Sequence, residues 1–439
     1  MIPDAGPGRR ATLSIAYIVL VFVLLVIALP RACRYRSTDI PRVEADDLTF
    51  ETSFSVPTSG AMNGPTDLSE GGQALSLAPD GGLYFGCHSP LMFAKVSIAA
   101  PGAPSQLLEP CRYVPEAPGD GSHLGGLLTL GDRLVASKFV FYDGNGAAWW
   151  SHQHSLDGGV TWSPLEKVGT DAGPNGQPLN AGFYAGYMGA VPATWAEAFG
   201  APAFTGQGIL SIISRTSSGP AAFGFDPAHL GLAYPVQTQP WVYYPLDHPL
   251  ANPDTQNEWF SRADQLGGAF FVPGSRSLLF VGMHGMGVPC YGSGTANQAD
   301  AGTVGPDGMM RCYDPLNGSQ GEHVYPYRGQ VWAYDVDDLL AVRHGDRAPW
   351  DVKPYAVWAL PGVSQEAYRV RRGGVAFNPA TGALYVTETF GTAPRVDVFR
   401  LRGLAPAPPA GVTYRCTMEL TGVSPSLLAG PARCEPVSR

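Results

Sequence analysis

Apolar positions along this chain fall into two regimes. The first is one uninterrupted run at residues 13–29 (LSIAYIVLVFVLLVIAL), 17 residues without a charge, at the short end of what spans a bilayer as a helix. The second begins near residue 48 and consists of short stretches in which apolar and polar residues alternate, interrupted by Gly, Pro, Asp and Asn. That is the pattern of half-buried strands joined by tight turns. No stretch sustains the 3.6-residue period of a helical bundle.

Within the second regime five segments are related, each a Gly-containing start, an apolar run, a turn and a second apolar run. They begin at Gly71-Gly72 (GGQALSLAPDGGLYFG), Gly125-Gly126 (GGLLTLGDRLVAS), Gly189 (GAVPATWAEAFGAPAFTGQGILSII), Gly267-Gly268 (GGAFFVPGSRSLLFVG) and Gly373-Gly374 (GGVAFNPATGALYVTE). Each reads as the first two strands of a four-stranded unit. Third strands are expected at 92–98, 148–155, 330–335 and 396–401, and fourth strands at 160–168 and 356–360. Radial repetition of such units buries their faces and leaves only short edges if the ring closes. The fold class expected is therefore all-β, a β-propeller preceded by one N-terminal transmembrane helix. Five blades are counted, or six or seven if the 106-residue interval between the last two starts hides another. The alternating stretch 48–56 would close the ring by pairing with the fifth unit; an irregular sandwich is the alternative.

Composition agrees with a turn-rich but folded domain: 55 glycines and 41 prolines among 439 residues, 45% hydrophobic and only 15% charged. The formal net charge is −9, although Arg9, Arg10, Arg31, Arg34 and Arg36 crowd the N-terminus, so the remainder is more acidic still. Nucleic acid and anionic surfaces are excluded as partners of that part. Arg9 and Arg10 form a positive n-region, no small-x-small site follows the apolar run, and Arg31 spoils a lipoprotein box ahead of Cys33. The reading is an uncleaved signal anchor in preference to a cleaved signal peptide. The chain then divides into an n-region (1–12), an anchor (13–29), a linker (30–47) and the propeller (48–439) with an insertion at 284–327, lying in the periplasm or outside the cell. Six cysteines after Cys33 form three sequence-close pairs, Cys87 with Cys111, Cys290 with Cys312 and Cys416 with Cys434. An even, locally paired set without CxxC suits disulfides in an oxidising compartment.

One motif is specific. Ser155-Leu-Asp157-Gly-Gly159-Val-Thr161-Trp162 matches S-x-D-x-G-x-T-W, and there the chain resembles the BNR/Asp-box (sialidase-type) propellers. In such a turn Asp157 accepts backbone N–H groups, Gly159 takes a backbone geometry closed to other residues, and Trp162 packs beneath. The resemblance implies that the box is structural and lies away from the catalytic face. The arginine cluster and F/Y-R-I-P element of sialidases are not matched: none precedes Ser155, and Tyr368-Arg369-Val370 stands in the wrong place. The resemblance thus speaks for fold and not for sialidase activity.

In a propeller, the residues leading into the first strands and the loops joining strands two and three emerge on one face. The first set comprises Glu70, His123, Tyr187, Asp264 and Arg372, with Arg262 and Arg371 nearby. The second adds His88, Trp149, Trp150, Arg215, His284 and Glu388. Glu70, Asp264 and Glu388 are the candidate acid/base carboxylates; the others are ligand-binding candidates. The insertion at 284–327 would form a stapled lid over this face. Its Asp314, Asn317, Ser319 and Glu322 offer hard oxygen ligands, which makes calcium the one metal considered, although the EF-hand pattern is missing. Asn317-Gly-Ser319 is also a glycosylation sequon. No cofactor is expected. Three functions fit: a membrane-tethered binding propeller for glycan, peptide or protein; a carbohydrate-active hydrolase or lyase; or a small-molecule or redox enzyme.

Overall fold

The structure is a computed structural model. It describes residues 40–402 except 59–63, 65, 170–171, 177, 208–215, 363–370 and 390–393, together with strands Thr413–Thr421 and Leu428–Val437; for 371–372 and the two C-terminal strands it describes the backbone alone. The expected anchor at 13–29, Cys33 and Arg215 lie outside the described residues. Among those that are described, no helix is long and apolar enough to cross a membrane.

The compact unit Pro41–Pro406 is built of five four-stranded sheets, antiparallel throughout. The first comprises Leu75–Leu77, Leu83–Gly86, Met92–Val96 and Leu107–Tyr113. The second comprises Ser122–Leu130, Arg133–Val140, Trp150–Ser155 and Glu166–Lys167. Met188–Ala190, Ala203–Thr205, Ala222–Phe225 and Gln239–Val242 make the third. Gln265–Phe271, Ser277–Gly285, Tyr327–Asp335 and Ala356–Ala359 make the fourth. The fifth runs Arg371–Asn378, Ala383–Thr389, Arg395–Leu401 and then, as its outermost strand, Leu48–Ser55 from the other end of the domain.

Neighbouring sheets pack face to face and share a core. Phe93, Leu127, Leu134 and Trp162 fill the space between the first and second sheets. Val135, Ala203 and Phe225 lie between the second and third. Phe204, Trp241 and Phe271 cluster between the third and fourth. Leu279, Val331, Leu384 and Phe399 join the fourth to the fifth. Phe85, Val96, Tyr385 and Val398, with Phe54, join the fifth back to the first. The innermost strands touch in the same cyclic order, from Leu75–Leu77 round to Arg371–Asn378 and back. This is a β-propeller.

The glycine pairs acquire a reason here. The register of the first strand slips at Gly126 in the second sheet and at Gly268 in the fourth, the mark of a bulge. At the same points neighbouring backbones approach each other. A Cβ on Gly125 would lie 1.8 Å from the Ala185 carbonyl oxygen, and one on Gly267 would lie 1.6 Å from that of Gly373. Only glycine permits inner strands this close.

One repeat departs from expectation. The segment after Gly189 is not strand, turn, strand: a helix, Ala193–Phe199, separates the two short strands. Pro192 precedes it and Gly200, at φ 67°, ends it in the left-handed conformation, both standard helix punctuation. The insertion between the second and third strands of the fourth sheet carries its own three-stranded sheet, Cys290–Thr295, Arg311–Tyr313 and Gln320–His323. Disulfides join Cys87 to Cys111 and Cys290 to Cys312. The C-terminal strands Thr413–Thr421 and Leu428–Val437 form a hairpin in a separate unit, with the backbones of Cys416 and Cys434 directly opposite.

Candidate functional site

Three of the expected residues line one cavity. It has a volume of about 160 Å³ and is walled by Glu70, Gln73 and Ala74, by the Gly86–Met92 turn including His88, and by His123 and Leu124. All belong to the first two sheets or the turns leading into and between their strands. None of the insertion's residues lines it, so the expected lid does not wall this cavity.

Local chemistry builds the wall. Buried Asp67 accepts hydrogen bonds through Oδ1 from the Ser69 amide (3.0 Å) and hydroxyl (2.5 Å), and its carbonyl accepts the His88 amide at 3.1 Å. The chain then turns through Glu70 at φ 54°, left-handed backbone that a non-glycine residue adopts at a cost of about 1 kcal/mol or more. His88 Nδ1 donates to the Ser69 carbonyl at 3.0 Å. In the neutral ring this leaves Nε2 with its lone pair, a hydrogen-bond acceptor. On the opposite wall the His123 ring stacks on Phe139 at 5.8 Å and tilts against Phe141 at 5.4 Å. Burial holds its pKa below the ordinary imidazole value, so it is uncharged at neutral pH. The Cys87–Cys111 disulfide ties the turn to the fourth strand, and the Leu124 amide donates to the Pro90 carbonyl at 2.7 Å, locking the second sheet to the first.

The other expected residues do not line this cavity. Asp264 is fully buried: Oδ2 accepts His284 Nδ1 at 2.7 Å, while Oδ1 takes the Gly285 amide at 2.8 Å and the Ser261 hydroxyl. His284 Nε2 donates to the Asn257 carbonyl at 3.0 Å, so neither group faces solvent. Glu388 is buried and paired with Arg395 at 2.9 Å. Tyr187 is buried, its hydroxyl donating to the Ala221 carbonyl at 2.7 Å. Arg262 bridges Asp254 (2.9 Å) and Glu322 (3.5 Å). Arg372 stands opposite Glu388 in register.

Trp149, Trp150 and their neighbours are also placed away from the cavity. Trp150 stacks on Tyr234 at 5.3 Å, and Lys167 lies over the Trp149 ring at 4.7 Å. Trp150 and His152 alternate on one strand with Ser151 between them, and His152 meets the third sheet through Thr205 (3.1 Å) and Phe225. Complete burial pushes the His152 imidazole down to about 3. The folded value lies below the ordinary one, so the unfolded chain takes up a proton as pH falls through about 6.5 while the folded chain does not. Stability contributed at neutral pH is therefore lost toward acid, at up to about 1.4 kcal/mol per pH unit. We expect urea unfolding from neutral pH to about pH 4 to show a steeper loss in the native chain than in His152→Gln; equal slopes would refute the assignment.

The Asp314 and Asn317 oxygen atoms considered for calcium are engaged by hydrogen-bond donors of the protein. Asp314 Oδ1 accepts the Leu316 and Asn317 amides at 3.0 and 3.2 Å, and Oδ2 accepts His323 Nδ1 (2.8 Å) and the Tyr327 hydroxyl (2.7 Å). Burial pushes this carboxyl up, but the hydrogen bonds from His323 and Tyr327 outweigh it and hold it below the ordinary range. Asn317 Oδ1 is occupied by the Ser319 amide at 3.1 Å. Among the described residues no three His, Cys, Asp or Glu side chains are grouped to hold a metal.

At the opposite end of the second sheet, the Ser155–Trp162 turn closes on itself. Asp157 Oδ1 accepts the Val160 and Thr161 amides at 3.0 and 2.9 Å, Oδ2 accepts the Thr161 hydroxyl at 2.6 Å, and Ser155 Oγ accepts the Gly159 amide at 2.7 Å. The Thr161 hydroxyl and amide, then the Ser155 hydroxyl, hold the Asp157 carboxyl far below the usual range. Gly159 has φ 92°, and Trp162 donates to its carbonyl at 3.2 Å while packing edge-on against Phe93 of the first sheet.

No family model matches the chain, and no curated protein matches it. Among solved structures it is similar to a glycosyl hydrolase from Bacteroides ovatus, at 11% identity over 84% of this chain and 95% of that one, with a TM-score of 0.37. A streptogramin B lyase is similar at 10% identity over 81% and 98% of the two chains, TM-score 0.32. A third is YCF48 bound to D1 peptide, at 11% identity over 84% and 100%, TM-score 0.28. At such identities none of them assigns an activity to this chain.

Proposed function

We propose that this chain is an exported, membrane-anchored, five-bladed β-propeller that binds a ligand through the cavity between its first and second blades. The observation that carries the reading is the convergence of Glu70 and His88, from two loops, and His123, from the start of a strand, on one cavity. Five sheets whose inner strands touch cyclically support the blade count. The apolar run at 13–29 and two disulfides support export and tethering. The hydrogen bonding of the Ser155–Trp162 turn supports its reading as an Asp-box of the BNR type.

Glycan, peptide and partner protein all remain ligands of this reading. The alternative, a carbohydrate-active hydrolase or lyase, wants two carboxylates roughly 5–10 Å apart across the substrate. Of the three candidates Glu70 lines this cavity, while Asp264 and Glu388 are buried against His284 and Arg395 and do not line it. Binding is therefore favoured over catalysis. Screening the detergent-solubilised full chain against glycan and peptide panels tests it. A ligand should emerge whose affinity falls about tenfold or more, roughly 1.4 kcal/mol, in both Glu70→Ala and His123→Ala. Ligands that bind both variants as well as the native chain would place the site elsewhere.

A further inference from the structure

We infer that this cavity takes a cationic nitrogen group, a protonated amine or guanidinium borne on a short apolar stem such as a lysine or arginine side chain. The inference rests on the binding reading above and names the chemistry of its ligand.

The wall is made of acceptors. Glu70 supplies a carboxylate, and the Ser69 carbonyl takes the Nδ1 proton of His88, which leaves His88 Nε2 as a lone-pair acceptor in the neutral ring. The Gln73 amide adds a carbonyl oxygen. His123, uncharged through burial, offers no positive charge to repel a cation. Among the described residues no lysine or arginine side chain lines the cavity beside Glu70. Ala74, Met92 and Leu124 complete the lining, a surface suited to the methylene stem that lysine and arginine keep with apolar groups while the charged head finds its partner. Glu70 is held in left-handed backbone that favours glycine. An exposed residue kept in that conformation gains nothing for the fold by being glutamate, which points to a use for its side chain.

Isothermal titration of the full chain in detergent, at low salt and neutral pH, with four small amides separates the outcomes. Nα-acetyl-lysine amide and Nα-acetyl-arginine amide should bind, and Nα-acetyl-glutamine amide and Nα-acetyl-glutamate amide should bind about tenfold more weakly or not at all. Added salt should weaken the basic pair. Glu70→Gln should lose about tenfold for the basic amides, and Glu70→Gly should lose as much while melting at or above the native temperature, since glycine relieves the backbone. No preference for the basic amides, or unchanged affinity in both Glu70 variants, overturns the inference. If a neutral or acidic amide binds instead and His123→Ala abolishes that binding, the cation inference falls while the cavity remains a binding site. If none of the four binds, the cation inference falls, and the panel screen with Glu70→Ala and His123→Ala decides separately whether the cavity binds anything.

Discussion

Deleting residues 45–57 should remove more than about 5 kcal/mol of unfolding free energy, enough to leave a domain of ordinary stability largely unfolded. The segment contains the outer strand of the fifth sheet, paired from Leu48 with Leu401 to Ser55 with Arg395. Leu48, Phe54 and Val56 are all buried, and each such side chain contributes about 1.5–3 kcal/mol. Glu51 and Arg400 add a two-point ion pair at 2.8 and 2.9 Å. Without this strand the 395–401 edge lies open, and the fifth sheet is joined to the first by face packing and inner-strand contact without the strand pairing. Phe54→Asp should reproduce much of the effect without shortening the chain. Denaturant unfolding followed by circular dichroism is the measurement, and a deletion that melts with the native protein would mean the strand is not a clasp.

Gly267→Ala should cost about 4 kcal/mol or more, an exceptional figure for one methyl group. Its Cβ would sit 1.6 Å from the Gly373 carbonyl oxygen, and that oxygen belongs to the innermost strand of the next sheet. Relief would require two sheets to move apart, breaking contacts that run round the ring. Gly81→Ala is the control. Gly81 has φ 92° and nothing within 4 Å of an added Cβ, so only backbone strain of about 1–2 kcal/mol opposes the change. Equal losses in the two variants would show that conformation, and not the close approach, made Gly267 necessary.

The features legible in the sequence are those whose partners are chain neighbours. Ser155–Trp162 could be read because the hydrogen bonds made by Ser155, Asp157 and Trp162 that close the turn lie within eight residues. Alternation marked the clasp strand and most of the inner and second strands. The same reading passed over the helix Ala193–Phe199, although Pro192 and Gly200 bracket it, because an apolar run of that length is ambiguous between helix and strand. The glycine pairs were visible as punctuation, while their reason, contact between backbones 60 and 106 residues apart, was not.

The site divides along the same line. Glu70 and Asp264 both lead into first strands and Glu388 ends a second strand, yet of these Glu70 is the one that lines the cavity between the first two sheets. Asp264 meets His284 across 20 residues, and Glu388 meets Arg395 on the adjacent strand. Asp67, Ser69, Gln73 and Met92 escaped notice because a loop serine or a buried aspartate carries no sequence mark of its neighbours.

By itself, then, the order of residues determined that this chain carries an apolar N-terminal run, alternating strands in repeated units, a closing strand and a self-contained turn, since period and turn chemistry act over a few residues. The tertiary structure alone decided which polar groups are spent on contacts within the fold and which line a cavity. A carboxylate is free or satisfied according to what the ring brings beside it, and that depends on the register of strands distant in sequence.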